Sequence, residues 1–413
     1  MLNKAFEAQC QAVDVHCTDP LQRLRSGLTL FSLALGSFCI GTSEFASMGI
    51  LQLFSASLGI DIPTATNAIT AYAFGVVIGA PVVTIAAARL NRRTLLLLLM
   101  GLFVLGNLLS SFADNLGMFA LARFISGMPQ GAYFGAGAVV ATYIVGPGHG
   151  GKAFALVMGG LTVATIFGSP LATFLGQNLG WRNTYLAVAG LGLLSGMALW
   201  LWVPRTRELD GGPVTQELAS LRRPAIWLMM LVAALGVASI FAVYTFIGPF
   251  VTDVASIRAE WIPVALALFG LGMTAGNTVG GRIADLHPSR GIILGFGSAV
   301  MVMAIVATFG SNVLVLMLGL FGIGATMMIA IPAIQVRLTS IAPGAPTLMG
   351  ALNLASLNVA NAIGAWAGGS AIAYGFGLLS AVWAGLCLTF LGLTLFLVMN
   401  SSGRFRPAGL RSA

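Results

Sequence analysis

The chain has 413 residues, of which 58% are hydrophobic and only 8% are charged. A soluble domain needs about 25% charged residues to cover its surface, so this composition excludes a water-soluble enzyme and favours a protein whose solvent is lipid. The net charge of +8 does not indicate a nucleic-acid partner, because arginine-rich cytoplasmic loops that set membrane topology account for it.

Apolar runs separated by polar residues predict twelve transmembrane helices. Each crossing needs about 20 apolar residues to span a hydrocarbon layer of ~30 Å. Six runs precede a polar stretch from Pro204 to Arg223, and six follow it. The predicted spans are 27–52, 65–87, 94–113, 117–145, 153–177, 183–203, 225–251, 262–283, 290–309, 312–335, 347–372 and 378–399.

The expected fold class is therefore an all-α membrane protein with two pseudo-symmetric six-helix halves. We expect an N-terminal half at 26–203, a cytoplasmic linker at 204–223 and a C-terminal half at 224–399. Residues 1–25 and 400–413 are expected to be cytoplasmic tails. The N-terminal tail lacks an apolar core and contains Glu7, Asp14 and Asp19, which argues against a cleavable signal peptide.

The basic residues predict the orientation of the spans. Seventeen fall on the side that holds both termini, and two fall on the other side, so the first side is expected to be cytoplasmic. The two on the outer side are Arg182 and Arg258. Those on the inner side are Lys4, Arg23, Arg25, Arg89, Arg92, Arg93, Lys152, Arg205, Arg207, Arg222, Arg223, Arg282, Arg290, Arg337, Arg404, Arg406 and Arg411.

A repeated motif supports the division into two halves. Span 2 contains Phe74-Gly75-x-x-x-Gly79 and span 8 contains Leu271-Gly272-x-x-x-Gly276, and each span ends in a short basic turn. Small residues at this spacing allow close helix packing wherever they occur. Their matching positions in both halves favour a secondary transporter with a site near the membrane midplane.

Two charged residues are predicted to lie deep inside the spans. Glu44 in span 1 is the only carboxylate well inside a span, and Arg123 in span 4 is the only deep base, at a similar depth. An acid there costs about 2.5–3.5 kcal/mol, so such residues are usually paired and functional. We hypothesise a Glu44–Arg123 pair, direct or through water, whose carboxyl exchanges a proton for substrate. The alternative is a static salt bridge that fixes helix packing.

Several polar side chains could line a cavity between the halves. For each of them, an interhelical hydrogen bond is as plausible as substrate contact. A cavity without a second fixed charge would suit neutral or weakly polar, partly apolar solutes. The candidates are Gln130, Tyr133, Tyr244, Asn277, Asn358 and Asn361.

Four segments carry a resemblance to a known family. They are Gly41-Thr42-Ser43-Glu44-Phe45-x-x-Met48-Gly49, Gly79-Ala80-Pro81, Arg123-Phe124-x-x-Gly127-x-x-x-Gly131, and Gly160 through Gly168-Ser169-Pro170 to Trp181-Arg182. Together they resemble the major facilitator superfamily over nearly the whole chain, and more narrowly its twelve-span drug:proton antiporters of the arabinose-efflux-permease-like branch.

The resemblance implies roles for some of these residues. It ties Arg123 to proton transfer, and it associates the span 5 motif, with Gly160, Gly168 and Pro170, with export. It also implies a charge-relay latch formed by the loops after spans 2 and 8. The first loop keeps Arg89, Arg92 and Arg93 but has Ala88 in place of the family's aspartate, whereas the second keeps Asp285 and Arg290. The first loop therefore lacks the acidic member of the family's latch.

The sequence as a whole predicts a proton-driven efflux carrier for small organic molecules that works by alternating access. An uptake symporter on the same fold is the second reading, and a gated channel, from a different class, is the third. We expect a bacterial inner-membrane monomer whose partners are substrate, protons and lipid, with no cofactor or metal. The cysteines show no paired or metal-binding spacing, and no enzyme motif is present.

Overall fold

A computed structural model describes residues 20–60, 62–65, 67–258 and 261–401. Most of both predicted tails, with Lys4, Arg404, Arg406 and Arg411, lies outside the described residues. The α-helices are α1 (Pro20–Gly49), α2 (Leu51–Leu58), α3 (Ile62–Ala65), α4 (Asn67–Ala86), α5 (Arg92–Ser111), α6 (Leu116–Gly127), α7 (Pro129–Val145), α8 (Gly150–Val163), α9 (Ser169–Leu179), α10 (Trp181–Trp202), α11 (Val214–Leu221), α12 (Pro224–Tyr244), α13 (Ile247–Pro249), α14 (Ile262–Leu286), α15 (Pro288–Phe309), α16 (Val313–Ile341), α17 (Pro346–Ala373) and α18 (Ser380–Ser401).

Eleven helices of the described chain are long and apolar enough to cross a membrane. One of these runs from Gly150 to Leu179 and joins α8 to α9 through a π-helical segment, Ala164–Gly168. Helices α6 and α7 have 12 and 17 residues and are each too short to span alone. They are separated only by Met128, which has helical dihedrals and donates its N–H to the Phe124 carbonyl at 3.2 Å. Pro129 interrupts the hydrogen-bond ladder at this point because it has no N–H.

Short turns with polar caps connect these helices. Asn91, Asn115 and Asn312 precede α5, α6 and α16, and each side-chain oxygen accepts a hydrogen bond from a backbone N–H of the first turn. Such caps satisfy N–H groups that have no partner within the helix. Gly180 joins α9 to α10 with φ +89°, a conformation that favours glycine.

The repeated glycine motifs have matching contacts on the two sides of the linker. A Cβ at Gly75 or Gly79 would overlap backbone atoms of Phe124 or Met128, so α4 lies directly against the α6–α7 helix. A Cβ at Gly272 or Gly276 would overlap the carbonyl oxygens of Phe321 or Ala325, so α14 lies equally close to α16. The motif therefore joins span 2 to span 4 before the linker and span 8 to span 10 after it, as close small-residue packing predicts.

The segment between α10 and α12 is more ordered than its polar sequence suggests. It contains a 3₁₀ turn, Arg207–Leu209, and the short helix α11. The Asn91 amide donates to the Thr206 carbonyl at 2.8 Å and to Asp210 Oδ1 at 2.7 Å, which holds the segment against the α4–α5 turn. A Cβ at Gly211 would overlap the Ala88 carbonyl oxygen. Ala88, at the position where the family signature has aspartate, is therefore in contact with this segment.

The helices before and after the linker meet along small residues. Ala80 of α4 forms a buried cluster with Ala351 and Ala355 of α17. Gly135 of α7 contacts α17 at Gly350, where a Cβ would lie 2.4 Å from the Gly135 Cα. This close packing places polar groups of both sets of helices around a common interior.

Candidate functional site

Glu44 lies on the inner face of α1. Its side chain is 9% exposed, and its Oε2 accepts a hydrogen bond from Gln130 Nε2 of α7 at 2.9 Å. One turn earlier, Gly41 brings α1 against Leu161 and Ala164, because a Cβ at Gly41 would lie 2.7 Å from the Leu161 methyl group. The carboxyl group therefore faces the interior of the bundle rather than lipid.

Arg123 is fully buried in α6 and is held by α1. Its Nη1 donates to Ser43 Oγ and its Nη2 donates to the Ser43 carbonyl, both at 2.9 Å. The guanidinium carbon lies 4.5 Å from the ring centroid of Tyr72 and 5.2 Å from that of Tyr185. Aromatic faces attract a cation, and the effect increases when water is excluded.

The direct Glu44–Arg123 ion pair of our hypothesis is not formed among the described residues, where the one ion pair within 4.0 Å joins Arg182 to Asp114. Glu44 and Ser43 are successive residues on α1, about 100° apart around the helix. The arginine occupies the Ser43 side and the carboxyl group turns toward Gln130. The two charges therefore lie near one another but have separate hydrogen-bond partners.

A small cavity of about 40 Å³ lies beside Glu44. Helices α1, α7 and α8, with the π-helical segment, line one side, and α12, α14, α16 and α17 line the other. Apolar side chains such as Phe45, Met158, Phe269 and Met328 form most of the wall. Its polar members are Glu44, Gln130, Thr165, Tyr244 and Asn358.

Three of the six candidate cavity residues, Gln130, Tyr244 and Asn358, lie in this wall. The other three lie elsewhere. The Tyr133 hydroxyl donates to the Leu33 carbonyl at 3.0 Å, and the Asn277 amide donates to the Ala155 carbonyl at 2.7 Å. Both side chains therefore make the interhelical hydrogen bonds that were the alternative to substrate contact, and Asn361 lies half-buried outside the cavity.

The span 5 motif packs against α1. A Cβ at Gly160 would overlap the Ala34 carbonyl oxygen, and one at Gly168 would overlap the Thr42 hydroxyl. Gly168 ends the π-helical segment, and Pro170 lies in the first turn of α9 with its ring exposed. The missing N–H of proline and the wider π turn occur together, as they do at many helix irregularities.

The loop residues of the predicted latch contribute unequally. Asp285, at the end of α14, accepts hydrogen bonds from the backbone N–H of Gly151 at 2.6 Å and of Lys152 at 3.1 Å. It thereby caps the N-terminus of α8, where the helix dipole attracts an anion. Arg92 donates to the Ala88 and Leu90 carbonyls and Arg93 to the Trp200 carbonyl, whereas Arg89 and Arg290 are exposed.

Several residues with buried polar contacts were not singled out from the sequence. Ser43, Tyr72 and Tyr185 surround Arg123, and the Asn353 amide donates to Gln335 Oε1 at 3.1 Å between α17 and α16. Ser43 directly precedes Glu44 in the span 1 motif, so its place in that motif was a usable signal. The tyrosines resemble any aromatic residue of an apolar run.

Comparisons with known proteins agree on one family. The Major Facilitator Superfamily profile matches residues 33–353. An inner membrane transport protein, YdhP, of Escherichia coli (strain K12) is 36% identical over 87% of this chain and 94% of its own length. A chloramphenicol resistance protein of Streptomyces lividans is 32% identical over 86% of this chain and 92% of its own.

A solved structure is similar in fold. The Major Facilitator Superfamily transporter FucP, in its outward conformation, matches 89% of this chain and 98% of its own with a TM-score of 0.71 at 16% identity. At that identity, the match supports the fold and nothing about substrate.

Proposed function

The chain belongs to the major facilitator superfamily, and we propose that it is a proton-coupled carrier that exports small organic molecules by alternating access. Members of this family are membrane transporters and not enzymes, so the predictions of family and of a non-enzymatic transporter are confirmed. The finer statements below, on coupling, direction, substrate and topology, are our proposals.

One observation carries the proposal of proton coupling. Glu44 is a carboxyl group buried in the wall of a cavity that both sets of helices line. A carboxyl group in such a place can lose its proton when the cavity opens to water and regain it when the cavity closes, because burial favours the neutral acid and hydration favours the anion. Substrate that enters the same cavity would compete with the proton.

Export is the direction that the relatives favour. The Streptomyces lividans relative is a chloramphenicol resistance protein, and removal of the drug from the cell is one way in which a transporter confers resistance. The cavity beside Glu44 has a mostly apolar wall, which suits partly apolar solutes of this kind. Uptake on the same fold is the second candidate, and it would accumulate substrate on the opposite side.

We also propose the topology that the basic residues predict. Helices α6 and α7 together would form one further span, which brings the total to twelve, with six on each side of the linker. The end of the bundle that holds Asp285 and Arg93 would face the cytoplasm. Single cysteines at Arg89 and Asn115, in a chain without native cysteines, test this orientation. An impermeant thiol reagent should label position 115 in intact cells and position 89 only after permeabilisation; the reverse pattern would refute the orientation.

The test of coupling is Glu44→Gln, which keeps the size of the side chain and can still hydrogen-bond Gln130. In proteoliposomes with an imposed pH gradient, we expect uphill flux to be abolished. Substrate-for-substrate exchange without a gradient should persist, because exchange does not need net proton transfer. Uphill flux that is undiminished in this variant would refute the assignment of Glu44.

The matched control is Asp114→Asn, which neutralises an exposed acid in the turn between α5 and α6. It should leave both exchange and uphill flux unchanged, since its side chain is 88% exposed and its ion pair with Arg182, at 3.8 Å, lies at the surface. Loss of exchange in Glu44→Gln would point to a damaged fold, and size-exclusion chromatography would distinguish that outcome from uncoupling.

A further inference from the structure

The cavity wall contains two polar atoms without a partner. Gln130 Oε1 and Asn358 Oδ1 are buried amide oxygens that accept no hydrogen bond. Their side chains are 1% and 5% exposed and belong to helices on opposite sides of the cavity, α7 and α17. Buried polar atoms usually have a partner, and among the described buried atoms without one these two are the ones that belong to the lining of this cavity.

The orientation of each amide follows from its other contact. Gln130 Nε2 donates to the Glu44 carboxylate at 2.9 Å, and Asn358 Nδ2 donates to the Leu354 carbonyl at 3.1 Å. If the Asn358 amide were reversed, its oxygen would face the Leu354 carbonyl oxygen without a proton between them, and a reversed Gln130 amide would meet the carboxylate of an ionised Glu44 in the same way. The free end of Asn358 is therefore an acceptor, and so is that of Gln130 while Glu44 is ionised.

The other polar lining residues are Glu44, Thr165 and Tyr244, and the Tyr244 hydroxyl can donate as well as accept. The Thr165 hydroxyl donates to the Thr162 carbonyl at 2.7 Å, and Glu44 is itself an acceptor when ionised. No lysine, arginine or histidine is among the described lining residues, so a bound anion would have no cation to neutralise it. Apolar side chains supply the remaining surface.

We infer that the transported solute is neutral or cationic and has an apolar body with at least two hydrogen-bond donors, hydroxyl or N–H, that pair with Gln130 and Asn358. This inference rests on the proposed function, because it assumes that the cavity beside Glu44 is the transport site. A site built from buried acceptors rejects a close analogue without donors far more strongly than an apolar pocket rejects a change in size. The affinity of the site should therefore rise with the number of hydrogen-bond donors on the solute.

The experiment is equilibrium binding to purified protein in detergent, at one pH and without a gradient, with matched probe pairs. One pair is chloramphenicol, which has two hydroxyl groups and an amide N–H, and its diacetate, in which both hydroxyls are capped. The second is ethidium, with two primary amines, and its derivative with both amines dimethylated. We expect the donor-bearing member of a pair to bind about tenfold or more tightly.

Asn358→Leu removes the acceptor while keeping a side chain of similar size. It should reduce the preference for the donor-bearing member to less than about threefold and leave binding of the capped member unchanged or stronger, which also shows that the variant is folded. Asn361→Leu is the matched control, since Asn361 lies on the same helix outside the cavity. It should leave the preference unchanged.

Three results would overturn the inference: equal binding of both members of a pair, a preference that survives in Asn358→Leu, or failure of every probe to bind. Tighter binding of an anionic probe such as 2-naphthoate would do so as well. None of these results bears on proton coupling, which is tested separately by Glu44→Gln under a gradient. Conversely, a donor preference in a chain whose flux ignores pH would refute coupling and leave the substrate class standing.

Discussion

Arg123 illustrates how a buried charge can be stabilised without an acid. The backbone carbonyl and side chain of Ser43, together with the faces of Tyr72 and Tyr185, surround the guanidinium. Since Ser43 directly precedes Glu44, the arginine holds the turn of α1 that carries the carboxyl group. Its effect on Glu44 is thus one of position as well as of charge, and we regard it as a positioning residue.

Arg123→Lys separates these two contributions. Lysine keeps the charge but lacks the planar fork that reaches two acceptors at once, so we expect lower stability and slower transport. The melting temperature in detergent should fall by several degrees, and the pH at which uphill flux is half-maximal should shift, because the environment of Glu44 changes. A purely structural arginine would lower the melting temperature without moving the pH profile.

Arg182→Lys is the comparison for this variant. Arg182 also stacks on an aromatic ring, that of Trp181 at 4.4 Å, and donates to a backbone carbonyl, but its side chain is 38% exposed. Exposed ion pairs contribute about 0–1 kcal/mol, so this exchange should be nearly neutral. If both lysine variants changed the melting temperature and the pH profile of uphill flux equally, Arg123 would not be a positioning residue for Glu44.

At the scale of a helix, the segment from α8 to α9 combines tight packing with an irregular backbone. Gly160 and Gly168 allow α1 to approach, and between them the π-helical segment Ala164–Gly168 begins one residue after α8 ends. Gly270 of α14 contacts the same segment, because a Cβ there would lie 2.6 Å from the Ile166 side chain. The π-helical segment therefore contacts helices on both sides of the cavity.

Adjacent glycines in α8 provide a test of this packing. Gly160→Ala would force α1 and α8 apart, since the new methyl group meets the backbone of Ala34, and overpacking of this kind costs about 1–3 kcal/mol. Gly159→Ala meets no atom within 4 Å and should be neutral or stabilising by up to ~1 kcal/mol, as alanine favours the helix.

Thermal melting and exchange rates of the two variants are the measurements. We expect Gly160→Ala to lower both and Gly159→Ala to lower neither. A Gly160→Ala variant as stable and as active as Gly159→Ala would show that α1 and α8 do not approach as closely in the working protein.

At the scale of the whole molecule, one end of the bundle, the basic end, holds Asp285 and Arg93. Among the described residues, the acidic contact that joins helices before and after the linker there comes from the helices after the linker alone. Asp285 of α14 caps α8, whereas the corresponding position after α4 is Ala88, which lies beneath the linker segment. At this end, therefore, one acidic cap rather than two joins the two sets of helices. Close packing of α7 against α17 at Gly135 and Gly350 supplements it.

Asp285→Ala should shift the equilibrium toward states in which the basic end is open. A carboxylate at a helix N-terminus contributes up to about 2 kcal/mol, equivalent to a change in population of up to ~30-fold. Spin labels at Tyr143→Cys and Ser340→Cys, at this end of α7 and α16, would report a larger fraction of long distances. An unchanged distance distribution would refute the latch, and Asp114→Asn, at the opposite end, is the negative control.

The helical segments and the family were predictable from sequence. A run of about 20 apolar residues partitions into lipid by its own transfer free energy, which depends on local composition, and the predicted spans agree with the helices to within a few residues over most of the described chain. The break at Pro129 and the caps at Asn91 and Asn115 are likewise local effects of single residues.

Tertiary structure alone decided which polar groups meet. Glu44 and Gln130 are 86 positions apart, as Ser43 and Arg123 are 80 apart, and their pairing depends on how far each helix is rotated about its axis. If a helix turned about its axis by about 100°, the angle between successive residues, a different side chain would face the same partner. Glycine and alanine contacts with distant helices fix this rotation. For that reason depth along the spans could indicate that Glu44 and Arg123 are buried, as they are, but not which hydrogen bonds each of them makes.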